Sequence, residues 1–306
     1  MVNIYENVDR NKRNSVVIML LFSLFVMGVT YVFSRAMGYG LDIVGFAFIF
    51  SGLSSFVSYY YSDQIILGMS GAREANRKKD FHFYTVAENL AMAAQLPMPR
   101  LYVIEDTAMN AFATGRDPKH AVICATTGLL ATLNRTELEG VIAHELSHIR
   151  NYDIRLMSVV TVLVGLIALL ADWFLRMTYW SGGRRNKDGE SKDGQLQAIF
   201  LFVGLVLALL SPLIAQLMQL AISRRREFFA DASGVALTKY PNGLISALKK
   251  LEKDKEPLEA ANKATAHLYI VNPLRNTEGA RHWFAGLFDT HPPVTERIKA
   301  LRGEMQ

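Results

Sequence analysis

The stretch VIAHELSHIRNYDIRLMSVVTVLVGLIALL, residues 141–170, decides the fold. Its first half sets His144, Glu145 and His148 within about one predicted helical turn. Its second half, from Leu156 on, is an apolar run with the composition of a membrane span. Water-dependent chemistry and a lipid-compatible segment therefore stand side by side.

Residues four apart on a helix share a face, with Cβ atoms about 5–6 Å apart. Two imidazoles so placed can each give one nitrogen to a single zinc ion at about 2.0–2.1 Å. Glu145, next to the first imidazole, is offset from the metal and within reach of a metal-bound water. Zinc lowers the pKa of such a water towards about 7. A carboxylate then takes its proton as the water attacks a carbonyl, and passes it to the leaving amine. The same residues also read as the polar face of an ordinary helix. A catalytic zinc needs three protein ligands and one open position, so a third ligand decides between the two.

SRRREFFADASG, residues 223–234, offers that ligand. Glu227 and Asp231 are four apart and share a predicted helical face. Glu227 completes a His-His-Glu set, and Asp231 is placed to accept from the second N–H of a ligand imidazole. On their own the two acids read more readily as a solvated pair beside three arginines. His291 opens the sequence HPP at the start of a predicted helix. It is a candidate donor to the oxyanion of a tetrahedral intermediate, with a surface or structural role as the alternative.

The chain has 306 residues, of which 51% are hydrophobic, and the excess lies in four runs. Residues 16–34 carry no charge, and as a helix they would cover about 28 Å, close to the thickness of a bilayer core. They read as a retained anchor. Residues 43–61 form a second run, joined to the first by RAMGYG, so the pair predicts a transmembrane hairpin. Residues 156–175 form a third run. Residues 197–222 form a fourth, interrupted by Pro212, Gln216 and Gln219, and a polar, Gly-rich loop at 178–196 separates these two. The fold class expected is a mainly α membrane protein: four transmembrane helices and a small α+β zincin-like catalytic domain. The expected divisions are an N-terminal hairpin at 1–61, a first catalytic part at 62–155, a second hairpin at 156–222 and a second catalytic part at 223–306.

Lys and Arg near the spans set the orientation. Arg10, Lys12 and Arg13 precede the first run; Arg73, Arg77, Lys78 and Lys79 follow the second; only Arg35 lies between. Both flanks are therefore expected on the cytoplasmic side. Arg184, Arg185, Lys187 and Lys192 in the second loop run against this pattern. The net charge of +5 is assigned to such cytoplasmic residues, and no nucleic-acid partner is expected. The single cysteine, Cys124, excludes an intrachain disulfide and a cysteine metal cluster.

In the polar pieces, FYTVAENLAMAAQL predicts a helix at 83–96, and RLYVIED, NAFATG and HAVICATTG predict strands of a small sheet. TELE predicts a capping box of Thr136 with Glu139 ahead of the HExxH helix. That helix reads as continuous with the third run, and the helix of Glu227 as continuous with the fourth. PNGLISALKKLEK and HPPVTERIKALRGEM predict two more helices.

AHELSHIRNYD, NAFATG, RRREFFADASG and THPPVTERI, interleaved with four apolar runs, resemble the HtpX-type integral-membrane zinc metalloproteases, relatives of the CAAX prenyl-protein endoproteases. The resemblance covers nearly the whole chain. It implies a gluzincin centre with one Zn2+ on His144, His148 and Glu227, and Glu145 as general base. It further implies that Asn110, Ala111, Phe112 and Ala113 bind substrate backbone along a sheet edge; a buried structural strand is the alternative. It puts His291 in the catalytic cleft with Arg297 nearby. Phe229 departs from some relatives, which carry a polar residue there. The implied function is quality-control endoproteolysis of misfolded or damaged membrane proteins in a bacterial-type inner membrane, with the catalytic domain facing the cytoplasm. The rival readings are a zinc-bound membrane scaffold or chaperone with vestigial proteolysis, and a prenyl-peptide processing protease.

Overall fold

The computed structural model describes residues 4–37, 40, 42–181, 224–261, 265–271, 273 and 292–304. The fourth apolar run and His291 lie outside the described residues, as does the polar loop apart from 178–181.

Two long helices open the chain, α1 (Ile4–Met37) and α2 (Asp42–Met69), where the first hairpin is expected. The third run lies in α6 (Asp153–Ser181), which continues as helix past residue 178, where the loop was expected to begin. The three helices pack on one another. Ile18 and Phe22 of α1 meet Leu156, Val160 and Leu163 of α6 in a buried apolar seam. The other faces of α1 and α2 stay apolar and uncovered: Leu24 is 61% exposed, Phe46 73% and Ile49 66%. Among the described residues one helix, α2, is long and apolar enough to cross a membrane by length and composition.

The rest builds a small sheet with helices on it. The strands are β1 (Arg73–Glu74), β2 (Arg100–Ile104), β3 (Ala111–Gly115) and β4 (Ala121–Thr126). Their order is β1-β2-β4-β3, with β2 and β4 parallel and the other pairs antiparallel. The three expected strands are present, and β3, from NAFATG, stands at an edge. The helices are α3 (Phe81–Ala93), α4 (Thr127–Thr132), α5 (Arg135–Arg150), α7 (Arg224–Thr238), α8 (Pro241–Lys253) and α9 (Val294–Leu301).

The HExxH helix α5 is the hub. It packs on α3, β3, β4, α7 and α8, and every residue from Gly140 to Ile149 is buried. Val141, Ile142, Leu146 and Ile149 share one core with Leu101 and Ile123 of the sheet and Leu248 of α8. A helix covered on all sides keeps its polar residues dry only if each finds a partner.

Two expectations about α5 need correction. Its capping box is Asn134 with Glu137, not Thr136 with Glu139. Glu137 is favoured because its carboxylate also accepts from Ser246 Oγ and Lys250 Nζ, both at 2.7 Å, which pins the start of α5 to α8. Glu139 instead pairs with Arg135 on the surface at 3.0 Å. Second, α5 does not run on into the apolar helix. It ends at Arg150, Tyr152 takes a left-handed φ of 59°, and α6 starts at Asp153. The expected continuity of α7 with the fourth run falls on residues outside those described.

Two glycines let α5 and its neighbours approach closely. A Cβ at Gly140 would meet Leu244 N at 2.7 Å. A Cβ at Gly234 would meet His144 N at 3.0 Å and Ala143 C at 3.2 Å, both backbone atoms that cannot swing away. Gly234→Val is therefore expected to push α7 off α5 and lower the metal content of the purified protein well below that of wild type, as read by atomic absorption.

Candidate metal centre

α5 and α7 cross with their polar faces together. His144 and His148 come from α5 and Glu227 from α7, and each offers one ligand atom within 4.8 Å of the others. The two Nε2 atoms are 3.2 Å apart. Glu227 Oε2 is 3.6 Å from His144 Nε2, and its Oε1 is 3.5 Å from His148 Nε2. Donors about 2.0–2.1 Å from one tetrahedral ion stand about 3.3 Å apart. The observed separations match that spacing, so the donor set fits a zinc-sized ion.

The outer nitrogens are held as well. His144 Nδ1 lies 2.8 Å from Asp231 Oδ1, as the spacing of Asp231 implied. His148 Nδ1 lies 3.0 Å from Asp153 Oδ2. Each carboxylate accepts an Nδ1–H, which leaves the Nε2 lone pair aimed inward. Sequence reasoning missed Asp153, because a continuous helix would not return this residue to His148. The signal was Asn151, a turn-tolerant residue just before it.

Arg297 of α9 is fully buried and grips Asp231 with two bonds, Nε to Oδ2 at 2.8 Å and Nη2 to Oδ1 at 2.6 Å. Its Nη1 donates to Ile270 O at 3.0 Å and lies 3.7 Å from Glu227 Oε2. Nη2 is also 3.4 Å from His144 Nδ1. Both of those are donors, so Asp231 is the acceptor they share. Burial would raise the Asp231 carboxyl, but the charge and hydrogen bonds of Arg297 outweigh it and hold the group below its ordinary value. Glu145 is 2% exposed. Burial is the main cause that raises its carboxyl, against the opposing charges of His144, His148 and Arg297. A raised carboxyl is better matched to taking a proton near neutral pH.

Of the strand residues, Asn110 and Ala111 are already engaged by this chain. Asn110 Nδ2 donates to Val271 O at 2.9 Å, and Ile270 N donates to Ala111 O at 3.0 Å. Phe112 is packed edge-on against Tyr269 with ring centroids 5.0 Å apart. Ala113 is buried in the core beneath α5. Pairing of any other chain along Ala111 has to displace Ile270. His291 falls outside the described residues.

A helix-borne HExxH facing a glutamate from a second helix, each histidine backed by an acid, is a donor set able to hold a metal ion. The particular family follows from the sequence comparison: the model of Peptidase family M48 matches residues 77–305, and the chain belongs to that family. It is 44% identical to "Protease HtpX homolog" of Caldanaerobacter subterraneus subsp. tengcongensis, over 98% of this chain and 97% of that one. It is 43% identical to "Protease HtpX homolog" of Dictyoglomus turgidum, over 97% and 94%. The crystal structure of S. mikatae Ste24p covers 89% of this chain and 66% of its own at 18% identity and a TM-score of 0.45, a likeness too slight to argue from.

Two predictions follow from the charges. The His148 imidazole loses stability as a cation through burial, but the Asp153 hydrogen bond and the charges of Glu227, Asp153 and Glu145 push its pKa up to about 9 in the metal-free site. Raised from an ordinary value near 6.5, it adds stability to the metal-free fold that is full below that pH and gone above about 9. Metal must displace the same proton. Zinc affinity should therefore climb by up to about tenfold per pH unit from pH 6.5 to 9, with proton release seen by calorimetry in two buffers. Arg297→Leu leaves Asp231 buried without its counter-charge and should destabilise the fold by about 3–5 kcal/mol, read by denaturant unfolding in detergent.

Proposed function

We propose that this metallopeptidase uses zinc to cleave peptide bonds of misfolded or damaged membrane proteins. What carries the reading is the convergence of His144 Nε2, His148 Nε2 and Glu227 at 3.2–3.6 Å, with both Nδ1 atoms tied to acids. Zinc held there supplies a Lewis acid that acidifies water and polarises a carbonyl. His144, His148 and Glu227 hold it. Glu145 takes a proton on its carboxylate and returns one to the leaving amine. Asp231 and Asp153 keep the two imidazoles in the Nδ1–H tautomer, and Arg297 keeps Asp231 ionised. His291 is assigned to oxyanion stabilisation on its HPP context alone. The strand 110–113 is assigned to substrate backbone, supported by the edge position of β3.

The membrane setting is supported by the uncovered apolar faces of α1 and α2, which suit lipid better than water. In this reading the chain has four spans arranged as hairpins at 1–61 and 156–222, and the catalytic parts at 62–155 and 223–306 lie together on the cytoplasmic side. The basic residues flanking the first hairpin support that sidedness. The relatives' printed name, "Protease HtpX homolog", agrees with proteolysis as the activity.

Glu145→Ala should keep stoichiometric zinc, since the ligands remain, and lose about 10²–10⁴ in casein cleavage. Cleavage at the wild-type rate would sink the mechanism. Stoichiometric zinc with no cleavage by the wild type would favour the scaffold.

A further inference from the structure

The family model begins at residue 77, so α1 lies outside the segment it matches. On its sequence, α1 carries the apolar run 16–34 that reads as an anchor. One polar side chain of α1 nevertheless reaches the metal centre. Asn11 is 2% exposed. Its Nδ2 donates to Asp153 Oδ1 at 2.6 Å and to Asn151 O at 2.9 Å. The other oxygen of Asp153 is the one that accepts from His148 Nδ1.

Rotation about the terminal torsion of an aspartate is soft, so one hydrogen bond does not fix its plane. The second bond, from Asn11 to Oδ1, does. Arg226 Nη1 is 3.7 Å from the same oxygen and adds a charged contact to it, so Asn11 supplies the neutral, close bond that sets the plane. The bond to Asn151 O holds the break between α5 and α6. Lys12, the next residue of α1, lies 4.4 Å over the ring of Tyr152. All three residues at 151–153 are thus held from α1, and two of the contacts use one buried amide. An amide this deeply buried stays only where its N–H groups are satisfied, and here both serve the turn that aims Asp153.

We propose that Asn11 is a positioning residue of the metal centre. It orients Asp153, and through it His148, so that docking of the N-terminal helix sets the affinity for metal. This rests on His148 being a ligand, as read above. Outer partners of ligand histidines are worth about 10–100-fold in metal affinity.

The test is the zinc dissociation constant of the full-length chain in detergent, by chelator competition. The variants are Asn11→Ala, Asn11→Leu, Asp153→Ala, the double variant Asn11→Ala/Asp153→Ala, Ser15→Ala and His148→Ala. Asn11→Leu keeps the shape and removes both donors. Zinc binding should weaken about tenfold in each Asn11 variant, with a shifted visible band in the cobalt-substituted protein. Asn11→Ala should add nothing once Asp153 is gone. Ser15, whose Oγ bonds back to Asn11 O at 2.8 Å, should be silent. Binding within about twofold of wild type in folded Asn11 variants would overturn the proposal. So would full additivity with Asp153→Ala, or failure of both Asn11 variants to fold, since each assigns Asn11 a structural role alone. If His148→Ala keeps wild-type zinc affinity, the fault lies in the ligand assignment, and the proposal falls with it.

Discussion

The structure depends on closing a charge balance among buried groups. Glu145, Asp153, Glu227 and Asp231 are all at most 2% exposed. Arg297 and Arg226 face them. Four carboxylates against two guanidinium groups leave a deficit of two positive charges among these residues, which a divalent cation makes good. Burying such a cluster uncompensated would cost several kcal/mol per ion. Without metal, two Nε2 lone pairs 3.2 Å apart repel unless a proton lies between them, which agrees with a His148 held protonated to about pH 9. The cluster is thus a cation site by electrostatics as well as by distance.

Everything around α5 serves to hold that cluster at fixed spacing. The box of Asn134 and Glu137 starts the helix, and Ser246 and Lys250 hold that box against α8. Gly234 lets α7 come within contact distance of the His144 backbone, so Glu227 and Asp231 reach both sides of one imidazole. Arg297 then ties α9 and the Ile270 carbonyl to Asp231. Since Ile270 also donates to Ala111 on the β3 edge, the strand edge and the metal centre are linked through a single residue.

The junction of polar centre and apolar helix is a break, not a run-on. Tyr152 in the left-handed region stops α5 and lets α6 leave in a new direction. Two things follow. The apolar seam of α6 with α1 forms a cluster separate from the core around α5. Asp153, first residue of α6, turns back onto His148. One short turn therefore separates the two environments and joins them chemically.

The sequence by itself determined the donor types and most elements. HExxH and the Glu227–Asp231 pair depend only on helical spacing, which is local, and the strands and α8 follow from period and turn residues. Local patterns also indicated the β3 edge strand through family resemblance. Tertiary structure decided what depends on direction. Asn134 won the cap because Glu137 had distant partners in α8. Asp153 became a partner of His148 because the chain reverses at one left-handed residue, and Asn11 joined it from 142 positions away. Arg297 became the counter-charge because α9 packs on α7. Such contacts arise only once the core has closed, because a buried charge selects whichever partner the packing brings within reach.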